Sequence, residues 1–424
     1  MAKYRTRILD QRLADVSDAL GAVLIEGPRH CGKTTTARQR AGSCLFLDDP
    51  AKREQNLMMA AVNPQYLLAG KTPRLLDEWQ WAPELWDAVR TEVDERGLAG
   101  QFFLTGSAVP ADQSKIFHTG TGRIARLRMR PMTLTESGDA DVGVSFKELF
   151  AGHTNIGAAV NLSLRDIAFL ICRGGWPEAL ECSESRALRL VRDYLDEIIR
   201  TDVRRVDGVK RRPELTKNLL RVYAAVQGQP ASSIAVRDAL CTGDGDKLSE
   251  RTVQSYIDAL NKIFVVEDLR AWRPNIKTKA VVRLSALRYF CDPSLAAAAL
   301  SLTPEALMDE LKTMESLFKT LCVRDLRVYA DALDGDLFQY RDRSGLTCDA
   351  VLELRNGCYG LIEMKLGGTA AIEAGAKALL RLKAKINTDK MPEPSFLMVI
   401  TAVGPFAYRR EDGVLVVPVG ALGL

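Results

Sequence analysis

Gly27-Pro28-Arg29-His30-Cys31-Gly32-Lys33-Thr34 reads G-x-x-x-x-G-K-T, the spacing of a phosphate-binding loop. Ala22-Val23-Leu24-Ile25 before it is a short apolar run, as for a buried parallel strand. Thr34 to Arg40 after it holds no Gly or Pro and can open a helix. A strand, a turn and a helix N-terminus aim backbone N–H groups at one anion. On this reading the loop and the following Thr35 surround nucleotide phosphates. Lys33 adds a point charge for the β- and γ-phosphates, and Thr34 offers a hydroxyl to Mg²⁺. Cys31 is either a small filler or a point where oxidation would block the loop.

Downstream, Cys44 to Asp48 predicts a second buried strand, and Lys52 to Leu68 a Met-rich helical stretch. Arg74-Leu75-Leu76-Asp77-Glu78 is an apolar strand ending in two acids. Below a G-K-T loop that pairing suits metal-assisted phosphate chemistry. Asp77 would orient Mg²⁺ through its water shell, and Glu78 would take a proton from the attacking water. Pro83 opens a helix with Leu85, Trp86, Val89 and Val93 on one face, closed by Gly97. Gln101 to Leu104 is the next strand, and Ser107 or Thr105 at its tip is placed to sense a γ-phosphate or to serve as a turn residue. Arg123 to Arg130 alternates base and apolar residue, a half-buried strand with a basic face. Arg123 is a candidate for the γ-phosphate of its own or a neighbouring subunit, or else a solvated edge residue. Upstream of the loop, residues 5–20 have the spacing of an amphipathic entry helix. Alternating strand and helix predict an α/β fold with a doubly wound parallel sheet and its site at the strand C-termini.

The motifs G-P-R-x-x-G-K-T, L-L-D-E-W-Q-x-A-P-E-L, F-F-L-T-G-S and G-R-I-x-x-L-x-x-x-P occur in this order. Together they resemble the AAA+-type ATPases of the AAA-14 family that carry a C-terminal domain of unknown function, DUF4143. The resemblance implies an ATP-binding, Mg²⁺-dependent module that assembles as a homo-oligomer. Gly174-Gly175-Trp176-Pro177-Glu178-Ala179 matches the family's G-G-x-P-E-A element, and Asp202 its Asp-Val-Arg segment.

The whole chain of 424 residues exceeds one core and predicts several domains. Its mild net charge of +4 permits local nucleic-acid contact without arguing for it. Nine cysteines without a C-x-x-C pair, and only three histidines, fit a reducing cytoplasm and argue against structural zinc. No apolar h-region follows Met1 and no run approaches membrane-spanning length, so neither a signal peptide nor membrane partnership is expected.

Four segments are expected: a P-loop ATPase domain over 1–135, a helical linker or lid over 136–228, a winged-helix-like module over 229–290, and a C-terminal domain over 291–424. The middle holds a strong helix from Ser185 to Val203 followed by the basic residues Arg204, Arg205, Lys210, Arg211 and Arg212. In the winged-helix-like module Arg251, Gln254 and Ser255 face outward, placed for DNA, although such modules also serve as packing elements. In the last segment Cys348 to Leu354 and Cys358 to Lys365 predict a hairpin around Asn356-Gly357. Asp349, Glu363 and Lys365 then give D-(x)n-E-x-K, the constellation of restriction-endonuclease-like PD-(D/E)xK domains. Residues i and i+2 of a strand share a face, so Glu363 and Lys365 project together. A three-residue loop with left-handed Gly357 pairs 354 with 358 and sets Asp349 opposite Glu363. A two-residue loop would put Asp349 on the wrong face. Glu315 on the preceding helix is a further candidate for this second metal site. Relatives carry an acid where this chain has Thr347, so a working nuclease and a scaffold for DNA or a protein partner both stay open.

Overall fold

The computed structural model describes residues 4–111, 114, 116–241, 248–274 and 285–424. They group into two compact units. Unit 1 comprises residues 1–131, 197–213 and 256–265, and unit 2 the remaining stretches. Neither is one continuous stretch, so the four consecutive segments expected from the sequence do not map one for one onto them.

Unit 1 begins with α1 (Leu9–Ala19), β1 (Ala22–Glu26), α2 (Lys33–Arg38), β2 (Ser43–Phe46), α3 (Arg53–Val62), β3 (Arg74–Asp77), α4 (Leu85–Arg96), β4 (Phe102–Gly106) and β5 (Ile124–Arg128). The five strands form one parallel sheet in the order β2-β3-β4-β1-β5. From β1 the chain crosses to the far edge at β2, steps back through β3 and β4, and then passes to β5 beyond β1. The reversal of direction at β1 opens a crevice at the strand C-termini, where the phosphate loop leaves the sheet. Helix α4 ends at Gly97, whose left-handed φ of 60° stops it as predicted. Its buried Leu85, Trp86, Val89 and Val93 pack with Ala22, Leu24, Leu76, Phe102 and Leu104 on one face of the sheet. Each such side chain contributes about 1.5–3 kcal/mol, so this layer anchors the strands that carry the acids.

The chain continues through α5 (Leu134–Ser137), β6 (Val144–Ser145), α6 (Phe146–Phe150), β7 (Ala158–Ala159), α7 (Leu164–Arg173) and α8 (Glu184–Glu197). The long helix expected to reach Val203 changes character after α8. It becomes a π-helix over Ile198–Asp202 and then the short α9 (Val203–Arg205). Next come α10 (Pro213–Ala225), α11 (Ser233–Leu240) and α12 (Glu250–Lys262). Within the stretch expected to form a winged helix lie α11, α12 and two isolated antiparallel bridges, Val266 to Phe290 and Leu269 to Leu287. Residues 242–247 and 275–284 of the expected module lie outside the described residues. Gln254 accepts a hydrogen bond from Ser233, so its amide oxygen is engaged within the chain.

The rest of unit 2 holds α13 (Pro293–Ala299), α14 (Pro304–Asp309), α15 (Leu311–Ala332), β8 (Gly335–Arg341), β9 (Thr347–Leu354), β10 (Tyr359–Lys365), α16 (Thr369–Lys385), β11 (Phe396–Thr401), β12 (Phe406–Arg409), β13 (Leu415–Pro418) and β14 (Leu422–Gly423). Seven strands form a mixed sheet, β7-β12-β13-β11-β10-β9-β8, and β14 pairs with β6. The β9–β10 hairpin closes with Leu354 N–H donating to Cys358 and Gly357 at φ 85°. Its pairs run from Tyr359 with Glu353 to Ile362 with Ala350, the register of the three-residue loop. Continued by one residue, it sets Asp349 opposite Glu363. Among the described residues no helix is long and apolar enough to cross a membrane.

Candidate functional site

In unit 1 the loop from β1 to α2 turns on two residues of positive φ, His30 at 61° and Gly32 at 102°. Alternating hand in this way points successive N–H groups inward as an anion nest. Gly27 has no alternative, since a Cβ there would come within 2.0 Å of the Met129 carbonyl oxygen. Lys33 is buried, and its Nζ donates to the Pro28 carbonyl at 2.8 Å, so the ammonium lies across the loop. Cys31 is fully buried beneath it, the filler role rather than a reactive one. Thr35 is exposed.

The two acids separate in role by their partners. Thr34 Oγ1 donates to Asp77 Oδ1 at 2.7 Å, and Thr105 Oγ1 donates to the same oxygen at 2.5 Å. Burial pushes the Asp77 carboxyl up from the ordinary aspartate value, against the pull of these two hydroxyls. A buried carboxylate beside a threonine hydroxyl gives two hard oxygens 2.7 Å apart. That donor set fits Mg²⁺, which would replace the hydrogen bond between them. Glu78 stands at φ 56°, rare for a residue with a Cβ, and its N–H donates to Thr105 Oγ1 at 3.2 Å. Its Oε2 accepts from Ser107 Oγ at 2.6 Å and from Gln80 Nε2. Gln80 Nε2 also reaches Ser107 Oγ at 3.3 Å, while its Oε1 is buried without a partner.

The structure thus brings Lys33, Thr34, Asp77, Glu78 and Ser107 into one loop-and-strand-end cluster. It does not bring Arg123 into it. Arg123 Nε donates to Asp94 Oδ1 of α4 at 2.7 Å on an exposed face. Thr105 and Ser107, alternatives in the sequence, bond different carboxylates, Thr105 that of Asp77 and Ser107 that of Glu78, and Thr105 also accepts from the Glu78 N–H. Two contributors went unread. Gln80 lies two residues beyond Glu78, inside the L-L-D-E-W-Q motif, whose chemistry the sequence assigns to its acids. Arg7 is nearly buried behind the loop and donates to the carbonyls of Cys31 and Arg130, both at 2.8 Å. A lone arginine in an amphipathic helix pattern carries no sequence signal for that task.

In unit 2 the strand pair gathers Asp349, Glu363 and Lys365. Lys365 Nζ lies 2.8 Å from Glu363 Oε2, and the other Glu363 oxygen is buried without a partner. Burial, with Asp349 nearby, pushes the Glu363 carboxyl up to about 7. Asp349 accepts from the Met364 N–H at 2.9 Å and from Lys319 Nζ at 2.8 Å. Burial works to raise its carboxyl, but the charges of Lys319 and Lys365 outweigh that and hold it below the ordinary aspartate value. Glu315 acts on Lys365 through its charge. Lys319, one helical turn beyond Glu315 on α15, was not read from the sequence. Among the described residues no group of three metal-ligating side chains is assembled.

Residues 20–137 match the family described as AAA domain. An AAA-type P-loop ATPase domain occupies this part of the chain. Residues 164–306 match a domain of unknown function, DUF8612, rather than the DUF4143 implied by the resemblance. Two curated relatives, both described as uncharacterized, are Rv2008c of Mycobacterium tuberculosis and Mb2031c of Mycobacterium bovis. Each is 24% identical over 364 residues, covering 84% of this chain and 73% of the relative. Solved structures with similarity include the Walker-type ATPase PABY2304 of Pyrococcus abyssi, at 14% identity and TM-score 0.43, covering 68% of this chain and 94% of that one. Another is the Aeropyrum pernix Orc1 protein in complex with DNA, at 16% identity and TM-score 0.26, covering 69% and 91%. At TM-scores under 0.5 neither likeness bears on function.

Proposed function

We propose that the protein is an ATP-hydrolysing switch whose nucleotide site is the unit 1 cluster. The carrying observation is the two hydrogen-bonded chains at adjacent strand tips, Thr34–Asp77–Thr105 and Gln80–Ser107–Glu78. The first presents hard oxygens beside the phosphate loop. The second orients a carboxylate through a hydroxyl. Lys33 and the loop N–H groups hold the β- and γ-phosphates. Thr34 and Asp77 would hold Mg²⁺, which when bound neutralises phosphate charge. Glu78 takes the proton from the attacking water, and Ser107 fixes which of its oxygens faces that water. Arg123, paired with Asp94, is assigned no step within its own chain. The switch reading extends to a cytoplasmic homo-oligomer acting through unit 2 on DNA or a protein partner.

The test is phosphate release by the wild type and Glu78→Gln, with and without DNA. Loss of a general base lowers turnover about 10²–10⁴-fold. The expected variant binds ATP and fails to cleave it, and DNA raises wild-type turnover. A wild type that neither binds nor cleaves ATP would refute the reading. Turnover indifferent to DNA would remove DNA and leave a protein partner.

The unpartnered, buried Glu363 oxygen supports a second reading, metal-dependent DNA cleavage at Asp349, Glu363 and Lys365. A cation there has to displace Lys319 from Asp349. No cutting of single- or double-stranded DNA with Mg²⁺ or Mn²⁺, or equal cutting by Lys365→Ala, would leave the cluster as a charge-balanced scaffold.

A further inference from the structure

The phosphate loop carries one ion-pair system that hydrolysis does not require. Arg29 Nη1 lies 2.9 Å from Glu197 Oε1 and 3.1 Å from Asp202 Oδ1. His30 Nε2 lies 3.9 Å from the other Glu197 oxygen. Asp202 is nearly buried, while Arg29 and Glu197 are part-exposed. The two acids are five positions apart. In an α-helix of 3.6 residues per turn, that spacing separates them by about 140° around the axis. One guanidinium nitrogen does not meet two side chains so arranged. Here Ile198–Asp202 is a π-helix, flanked by α-helix on both sides. Its i→i+5 hydrogen bonding closes a wider turn and returns the fifth residue close to the starting face. The π turn is therefore what lets Glu197 and Asp202 converge on Arg29. Such turns are rare, and where they occur as insertions in α-helices they concentrate at functional sites.

We propose that Arg29 is a positioning residue that latches the phosphate loop to the π turn and links nucleotide occupancy to the conformation of residues 197–205. The inference rests on the ATP-binding reading above. An incoming polyphosphate and the two carboxylates compete for the same guanidinium. Nucleotide on the loop therefore loosens the hold on the π turn, and the intact hold weakens nucleotide binding. Linkage requires the two effects to be equal in size. For a part-exposed pair the coupling falls at the low end of the usual range, about fivefold.

The test is a double-mutant cycle read by titration with a fluorescent ATP analogue, using the full chain. Glu197→Gln with Asp202→Asn should tighten binding about fivefold in the wild-type background and leave it unchanged in an Arg29→Gln background. Amide exchange over 198–205 should quicken on nucleotide binding in the wild type and lose that response in the doubly neutralised variant. Asp202→Asn alone, nearly isosteric, covers the case in which the double variant does not fold. Equal tightening in both backgrounds would show a through-space field and overturn the latch, as would no tightening or an exchange response that survives neutralisation. A wild type that binds no nucleotide would take down the functional reading and the latch together. Binding with an additive cycle takes down the latch alone.

Discussion

Thr105→Val is the perturbation that reaches both acids through one atom. Thr105 is fully buried, and valine matches its shape while removing the hydroxyl. The change deletes the bond into Asp77 Oδ1 at 2.5 Å and the acceptor for the Glu78 N–H at 3.2 Å. A hydrogen bond to a charged group is worth about 1.5–3 kcal/mol and a neutral one about 0.5–1.5. The two share an atom and do not add fully, so the expected loss is about 2–4 kcal/mol. The pH dependence has a definite sign. Burial already raises the Asp77 carboxyl, and Thr105 is the larger of the two hydroxyl contributions opposing it. Removing that donor raises it further, so the folded variant holds its proton to higher pH than the unfolded chain does. Stability from the protonated form is complete below the unfolded value near 3.9 and is lost as pH rises toward the folded value. The deficit of the variant should therefore widen as pH rises from about 4 toward neutrality. Urea unfolding at several pH values, followed by tryptophan fluorescence, measures it, with phosphate release alongside. A variant within about 0.5 kcal/mol of wild type at neutral pH, with turnover within about twofold, would refute the role given to Thr105.

Ser107→Ala removes the hydroxyl that orients Glu78. Turnover should fall about 10–150-fold, the rate equivalent of one bond to a charged group, with ATP affinity held within a few-fold. Trp86→Ala opens the buried layer between α4 and the sheet and should destabilise unit 1 by about 3–5 kcal/mol in urea unfolding. Asp342 tests the C-terminal sheet. Burial works to raise its carboxyl, but bonds from Lys385, Ser344, the Leu346 N–H and Tyr340 bring it down to about 2. A depressed carboxyl contributes stability above its unfolded value and loses it as pH falls through the folded one. Circular dichroism should show part of the acid loss of structure between about pH 4 and 2, and Asp342→Asn should lack that component.

The sequence alone determined the strand, loop and helix around Lys33, the acids at the end of β3, the stop of α4 at Gly97 and the register of the β9–β10 hairpin. Each rests on local physics: an apolar run of strand length, a glycine needed at positive φ, a turn whose length fixes which residues face each other. The tertiary structure alone decided which charges meet. After its glycine turn Arg123 is open to two readings, phosphate ligand or solvated edge, and only the packing beside α4 pairs it with Asp94. Lys319 was invisible as the partner of Asp349 because they belong to different elements, 30 positions apart. Arg29 and Asp202 were both singled out, yet nothing in either neighbourhood announces that a π turn joins them. Periodicity and turn chemistry act over a few residues. Salt bridges between distant elements are settled only when packing fixes the distance and burial weakens the screening by water.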